Sequence, residues 1–174
     1  MYTIEQLKAL EAEFGSPLYL FREQDFVNNY MEFKSCFDKY YSKYVLSYSY
    51  KTNYTPYICK LVKSLGGYAE VVSDMEYSVA KAIGYQPSEI VYNGPFKGNL
   101  GKESFLNGGI INVDNLEEMR RICQIAYENK EKKLEIGIRV NINIGQHFIS
   151  RFGIDSDSED LQKAFDMVAE VENL

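Results

Sequence analysis

Apolar residues recur along the chain in two alternating rhythms. A three-and-four spacing predicts helices, and short β-branched or aromatic runs predict strands. Leu7, Leu10 and Phe14 share one helical face, with Thr3 placed to cap the start and Gly15 to stop the end. Pro17 to Phe21 then reads as a strand. Phe26, Tyr30, Phe33 and Phe37 repeat at helical spacing, which predicts a second helix over about 24–40 with its aromatic stripe in a core.

Five strand-then-helix units follow this helix-strand-helix start. Strands are predicted near 44–50, 68–72, 90–92, 109–113 and 134–142, and helices near 54–65, 74–84, 99–107, 115–129 and 158–171. Gly66-Gly67, Gly84, Gly94 and Gly108-Gly109 punctuate them. Strands separated by helices pair in parallel through right-handed crossovers, so the class is α/β. A closed barrel and an open doubly wound sheet both satisfy the pattern. Neither GxGxxG after the first strand nor GxxxxGK[ST] anywhere occurs, which disfavours dinucleotide and P-loop sites. Five units are too few for an eight-fold barrel, which needs about 250 residues, so a barrel here would be incomplete.

Composition narrows the picture. The 174 residues carry 19 basic and 25 acidic side chains, a formal balance of −6. That argues against a nucleic-acid partner, which calls for a basic surface. Cys36, Cys59 and Cys123 are scattered without CxxC spacing and suggest neither disulfides nor a metal centre. The N-terminus lacks the basic and apolar regions of a signal peptide, and no apolar run approaches the ~18 residues of a membrane span. A cytoplasmic location is expected.

Chemistry in a parallel α/β protein collects where strands end. Those ends are Tyr50 to Asn53, Glu70 to Ser73, Tyr92 to Pro95, Asn112 to Asp114 and Arg139 to Asn141. Lys51 closes a run of strand type just before a helix start. Desolvated there, its amine would have a lowered pKa and act as a nucleophile toward a carbonyl. The plainer alternative is a solvated or phosphate-contacting loop lysine.

Several of these segments match a known pattern in order and at similar spacing. They are Phe14-Gly15-Ser16-Pro17-Leu18-Tyr19-Leu20, Tyr48-Ser49-Tyr50-Lys51-Thr52-Asn53, and Gly67 to Ser73 followed by Glu76. Further along come Ile90 to Pro95 with Lys97, Ile111 to Asp114 with Glu117-Glu118, and Ile138 to Asn141 followed by Ser150-Arg151-Phe152-Gly153-Ile154. From about Phe14 onward the chain resembles the fold type III pyridoxal-phosphate enzymes of the ornithine/diaminopimelate/arginine decarboxylase group, with the diaminopimelate branch nearest.

The resemblance implies the N-terminal portion of a (β/α)8 TIM-type barrel spanning residues 1–174, without the C-terminal β domain of such enzymes. It implies that Lys51 forms a Schiff base with pyridoxal 5′-phosphate and serves in catalysis, and that Glu70 and Arg139 contact the cofactor. Glu70 stands where the group more often has Asp. From residue type alone, the preferred reading of Arg139 is a salt bridge to a neighbouring barrel carboxylate. Glu76 is a helix-capping carboxylate or a catalytic one, and the Ser150 to Gly153 turn is architectural. His147, the only histidine, precedes that turn and so does not match the group's ring-stacking histidine; without a second ligand it suggests no metal site.

The function implied is decarboxylation of a basic or diamino acid, meso-diaminopimelate to lysine being the preferred case. The partners implied are a small amino-acid substrate and, in the complete protein, a second subunit forming a homodimer. The 174 residues alone are expected to be inactive. A non-catalytic regulatory or binding homologue of the same fold and an alanine-racemase-like barrel enzyme are the alternatives.

Overall fold

The computed structural model describes residues 2–142, 145 and 150–174, so His147 lies outside the described residues. The chain divides into two compact units, residues 1–44 and 45–174.

The first unit contains α1 (Ile4–Phe14) and α2 (Glu23–Asp38). Thr3 caps α1 as predicted, its side chain accepting from the Gln6 N–H while the Gln6 side chain accepts from the Thr3 N–H, and Gly15 ends the helix at φ 84°. Two expectations fail in this unit. Residues 17–21 join neither sheet, because a run of strand type needs an edge to pair with as well as a suitable pattern. The aromatic stripe of α2 is not core: no residue of the helix is buried, and Phe33 and Phe37 are exposed. Its rings instead pack on one another, with Phe33 to Phe37 at 5.2 Å and Phe37 to Tyr44 at 5.1 Å. Helical periodicity shows that a face is apolar but does not supply the surface that covers it.

The second unit follows the predicted rhythm closely. In order it holds β1 (Ser47–Ser49), α3 (Pro56–Ser64), β2 (Tyr68–Val71), α4 (Asp74–Ile83), β3 (Ile90–Tyr92), α5 (Asn99–Leu106), β4 (Ile110–Val113), α6 (Leu116–Tyr127), β5 (Ile136–Ile138), β6 (Val140–Asn141), β7 (Ile154–Asp155) and α7 (Glu159–Ala169). Strands β1 to β5 form one parallel sheet in strictly sequential order. A doubly wound sheet would reverse its strand order at a switch point, so this winding is that of a barrel wall.

Alternation along the strands divides the sheet into two faces. Ala69, Val71, Ile90, Tyr92, Ile111 and Val113 are buried in a core shared with the helix residues Cys59, Ala80, Phe105 and Met119. The intervening positions are half-buried: Val91 and Ile110 are apolar, whereas Ser49, Glu70, Asn93 and Asn112, nearer the strand ends, are polar. Gly137 belongs to this second set, where a Cβ would collide with the Asn112 amide oxygen.

The strand expected over 134–142 is split at Arg139. Its N–H donates to Val113 O at 2.9 Å, continuing the ladder to β4, while its carbonyl accepts from Ile154 N at 2.8 Å. The chain therefore changes partner at this residue, and β6 pairs in parallel with β7 in a separate two-stranded sheet. Strand β7 was not foreseen, since two residues after a turn carry no periodicity to read.

Candidate functional site

Each strand end is held by a hydrogen bond one residue past the strand. Tyr50 N donates to Glu70 O at 2.9 Å and Asn93 N to Val71 O at 2.7 Å. Beyond Tyr50 the chain turns at once. Thr52 N and Oγ1 both donate to Ser49 O, at 3.2 and 2.7 Å, and Asn53 Oδ1 accepts from Thr55 N at 3.0 Å before Pro56 opens α3. Lys51 sits in this turn. The fully buried Tyr50 anchors it, with its hydroxyl pKa pushed far up by burial.

The Lys51 side chain is exposed and has no hydrogen-bond or ion-pair partner among the described residues. The desolvation expected from sequence is thus not provided by the described residues. Position is provided, along with an amine that no carboxylate occupies. Two residues earlier, the buried Ser49 Oγ also lacks a partner among the described residues. A buried hydroxyl without a hydrogen bond is unfavourable, so this one marks a place where a polar ligand would be stabilising.

Ser49 is in register with Glu70 on β2. Glu70 is half-buried and accepts from Asn93 Nδ2 at 3.1 Å, so the carboxylate of β2 is oriented by the amide from the end of β3. Asn93 was among the strand-end residues in the sequence, but only the sheet register brings it to Glu70.

Arg139 lies three strands from Glu70, on the order of 14 Å along the sheet at the usual inter-strand spacing. Its carboxylate partner is Asp114 instead, with Nη1 to Oδ1 at 3.2 Å. The guanidinium also lies over the Phe152 ring, 4.7 Å from its centroid. The salt-bridge reading of Arg139 is what the structure contains, and the remaining guanidinium N–H groups have no acceptor among the described residues. They stay available to an anion.

Two other sequence candidates are structural. Glu76 is buried and its Oε2 accepts from Val72 N at 2.7 Å, while Ser73 Oγ accepts from Glu76 N at 3.3 Å. Ser73 thus caps α4 while the Glu76 carboxylate reaches back to the residue before the cap, which is a capping rather than a catalytic role. In the Ser150 to Gly153 turn, Gly153 has φ +86° and donates its N–H to Asp114 Oδ1 at 3.2 Å, which ties the turn to the end of β4.

An amine nucleophile, a hydroxyl, an oriented carboxylate and a guanidinium are the groups needed to hold an aldehyde-bearing, phosphorylated cofactor. Ser49, whose hydroxyl lacks a partner, and Lys51, whose amine does, make the donor set fit such a group. Among the described residues, no three histidine, cysteine, aspartate or glutamate side chains converge as metal ligands, and no helix is long and apolar enough to cross a membrane.

The barrel-type winding and a lysine at the end of its first strand define the class: an α/β chain of the fold type III pyridoxal-phosphate kind. The chain belongs to the pyridoxal-dependent decarboxylases, matching the family's pyridoxal binding domain over residues 23–174, and the cofactor of the family is pyridoxal phosphate.

Among its relatives is diaminopimelate decarboxylase from Aquifex aeolicus, 31% identical, with 97% of this chain and 41% of the relative covered. The crystal structure of diaminopimelate decarboxylase from Methanocaldococcus jannaschii in co-complex with L-lysine superposes with a TM-score of 0.80 at 27% identity, covering 97% of this chain and 42% of that one. The Helicobacter pylori enzyme complexed with L-lysine shares the fold, with a TM-score of 0.83 at 23% identity over 97% of this chain and 44% of that one. The chain spans about two fifths of the length of the relatives it matches.

Proposed function

We propose that this chain is the lysine-bearing, N-terminal portion of the barrel domain of a cytoplasmic, homodimeric decarboxylase that converts meso-diaminopimelate to lysine. The observation that carries the reading is the Lys51 amine, without a partner among the described residues and placed at the end of β1 by the Tyr50 anchor and the Thr52 turn. The substrate assignment is supported by the names of the relatives and by L-lysine, the product of this reaction, in co-complex with the Methanocaldococcus jannaschii enzyme.

Bound pyridoxal phosphate supplies an electron sink for the pair left behind when the α-carboxylate departs as carbon dioxide. Lys51 Nζ would hold this group through its aldehyde, and when not so engaged the amine could carry a proton to or from the substrate. Glu70, oriented by Asn93, stands in register with Ser49, where its carboxylate would help hold a positively charged part of the group. Arg139 presents its free N–H groups to a phosphate or carboxylate. The chain spans about two fifths of its relatives' length, and the reading expects the 174 residues alone to be inactive or nearly so.

The test is the complete protein containing this chain, incubated with pyridoxal phosphate and meso-diaminopimelate. Release of carbon dioxide with formation of lysine, and borohydride labelling of Lys51 located by mass spectrometry, are expected, both abolished in Lys51→Ala. Racemisation without carbon dioxide release would identify a racemase instead. A chain that takes up no cofactor would be a non-catalytic homologue.

A further inference from the structure

We propose that Asp114 is the positioning residue for Arg139, presetting the guanidinium to receive an anionic group. This rests on the reading of Arg139 as part of a pyridoxal-phosphate site.

Asp114 follows β4 directly and is only 5% exposed. A carboxylate so buried needs compensation, and the structure supplies it from two sides. Its Oδ1 accepts from Arg139 Nη1 and from Gly153 N, both at 3.2 Å. One oxygen thereby joins the ends of β4 and β5 to the turn that carries Phe152. That ring lies under the Arg139 guanidinium, so charge on one side and an aromatic face on another confine it.

Asp114 is itself held by its backbone. Its N–H donates to Glu118 Oε2 at 2.8 Å, and the Glu118 carboxylate is paired with Lys97 Nζ, which also donates to Gly94 O at 2.6 Å. The loops after β3, β4 and β5 are thus one connected polar assembly with Arg139 at its outer end. A guanidinium used only for stability would be expected to saturate its donors. Arg139 is one-third exposed and, among the described residues, bonds through one nitrogen. Holding an arginine in one orientation while leaving its donors open is preorganisation for an anion.

Two anions fit this chemistry, the cofactor phosphate and the substrate carboxylate. The test uses the complete enzyme, with Asp114→Asn, Arg139→Gln and the double variant. Affinity is titrated spectroscopically for pyridoxal phosphate against pyridoxal, and for L-lysine against cadaverine. Each single variant is expected to weaken, in one pair, the ligand that carries the anionic group by about tenfold while sparing the counterpart that lacks it, and the double variant to be no weaker than either single one. Loss confined to pyridoxal phosphate assigns the phosphate, and loss confined to L-lysine assigns the carboxylate.

Additive losses, or unchanged affinity for all four ligands, would overturn the proposal. So would an Asp114→Asn protein that melts far lower yet binds normally once folded, since that is the signature of a purely structural role. Should Asp114→Asn fail to fold, Asp114→Glu keeps the charge and shifts the carboxylate by one methylene, and the same coupling to Arg139→Gln is read. Absence of Lys51 labelling in the unmutated enzyme would overturn the parent reading instead, and that result is separate from any effect at Asp114.

Discussion

Lys97 Nζ lies 2.8 Å from Glu118 Oε1, and the two side chains are only 6% and 13% exposed. The pair links the loop after β3 to the first turn of α6, where Glu118 also accepts from Asp114 N. Burying two charges is unfavourable unless each is compensated, and here both are, by one another and by backbone groups.

Removing one partner should therefore be far worse than removing both charges. Lys97→Met is expected to destabilise the chain by about 3–5 kcal/mol, because Glu118 is left as an uncompensated buried charge. Adding Glu118→Gln should recover much of that loss, since the amide oxygen still accepts from Asp114 N. Urea unfolding of the single and double variants measures the difference.

Gly153 and Gly66 separate backbone strain from crowding. Both have positive φ, +86° and +81°, but a Cβ at Gly153 would lie 2.9 Å from Arg139 O and 3.1 Å from Asn141 N, whereas at Gly66 nothing lies within 4 Å. Gly66→Ala should cost about 1 kcal/mol of left-handed strain alone. Gly153→Ala should cost about 3 kcal/mol, because backbone atoms at the Arg139 crossover cannot move aside. Equal midpoints in chemical denaturation would refute the crowding argument.

Burial makes the tyrosines a source of alkaline sensitivity. The Tyr50, Tyr77 and Tyr92 hydroxyls are raised above their ordinary 10.0 chiefly by burial, and at Tyr92 also by the Asp74 carboxylate that accepts its proton at 2.6 Å. In the unfolded chain these groups ionise near pH 10, while in the folded chain they stay neutral. Their contribution is complete below pH 10 and declines as pH rises beyond it. Stability should fall progressively above pH 10, and near-ultraviolet titration should show a fraction of the 15 tyrosines ionising only as the chain unfolds.

Lys51 offers the opposite contrast. Exposed and without a partner among the described residues, it should contribute little to stability, so Lys51→Ala is expected to change unfolding by no more than about 0.5 kcal/mol. A large stability loss measured by thermal melting without cofactor would show that Lys51 is a structural residue.

Local pattern was enough for most of the framework. The rhythm of strand and helix, the cap at Thr3 and the capping role of Glu76 depend on neighbours a few residues apart, and propensity and side-chain reach determine those. Lys51 was legible for the same reason, as a charged residue ending a strand-type run before a helix. Periodicity alone left barrel and doubly wound winding both open, and the order and spacing of the motifs, through the resemblance they carry, implied the barrel.

Only the tertiary structure decided what depends on distant partners. Sequential pairing of β1 to β5 bears out the barrel winding that the resemblance implied, while register alone brought Asn93 to Glu70. The exposed stripe of α2, and the run at 17–21 that joins neither sheet, show that pattern alone supplies neither a covering surface nor a strand partner. The change of partner at Arg139, and its attachment to Asp114 rather than Glu70, follow from which strand ends lie side by side. Such contacts join residues tens of positions apart, and no local spacing encodes them.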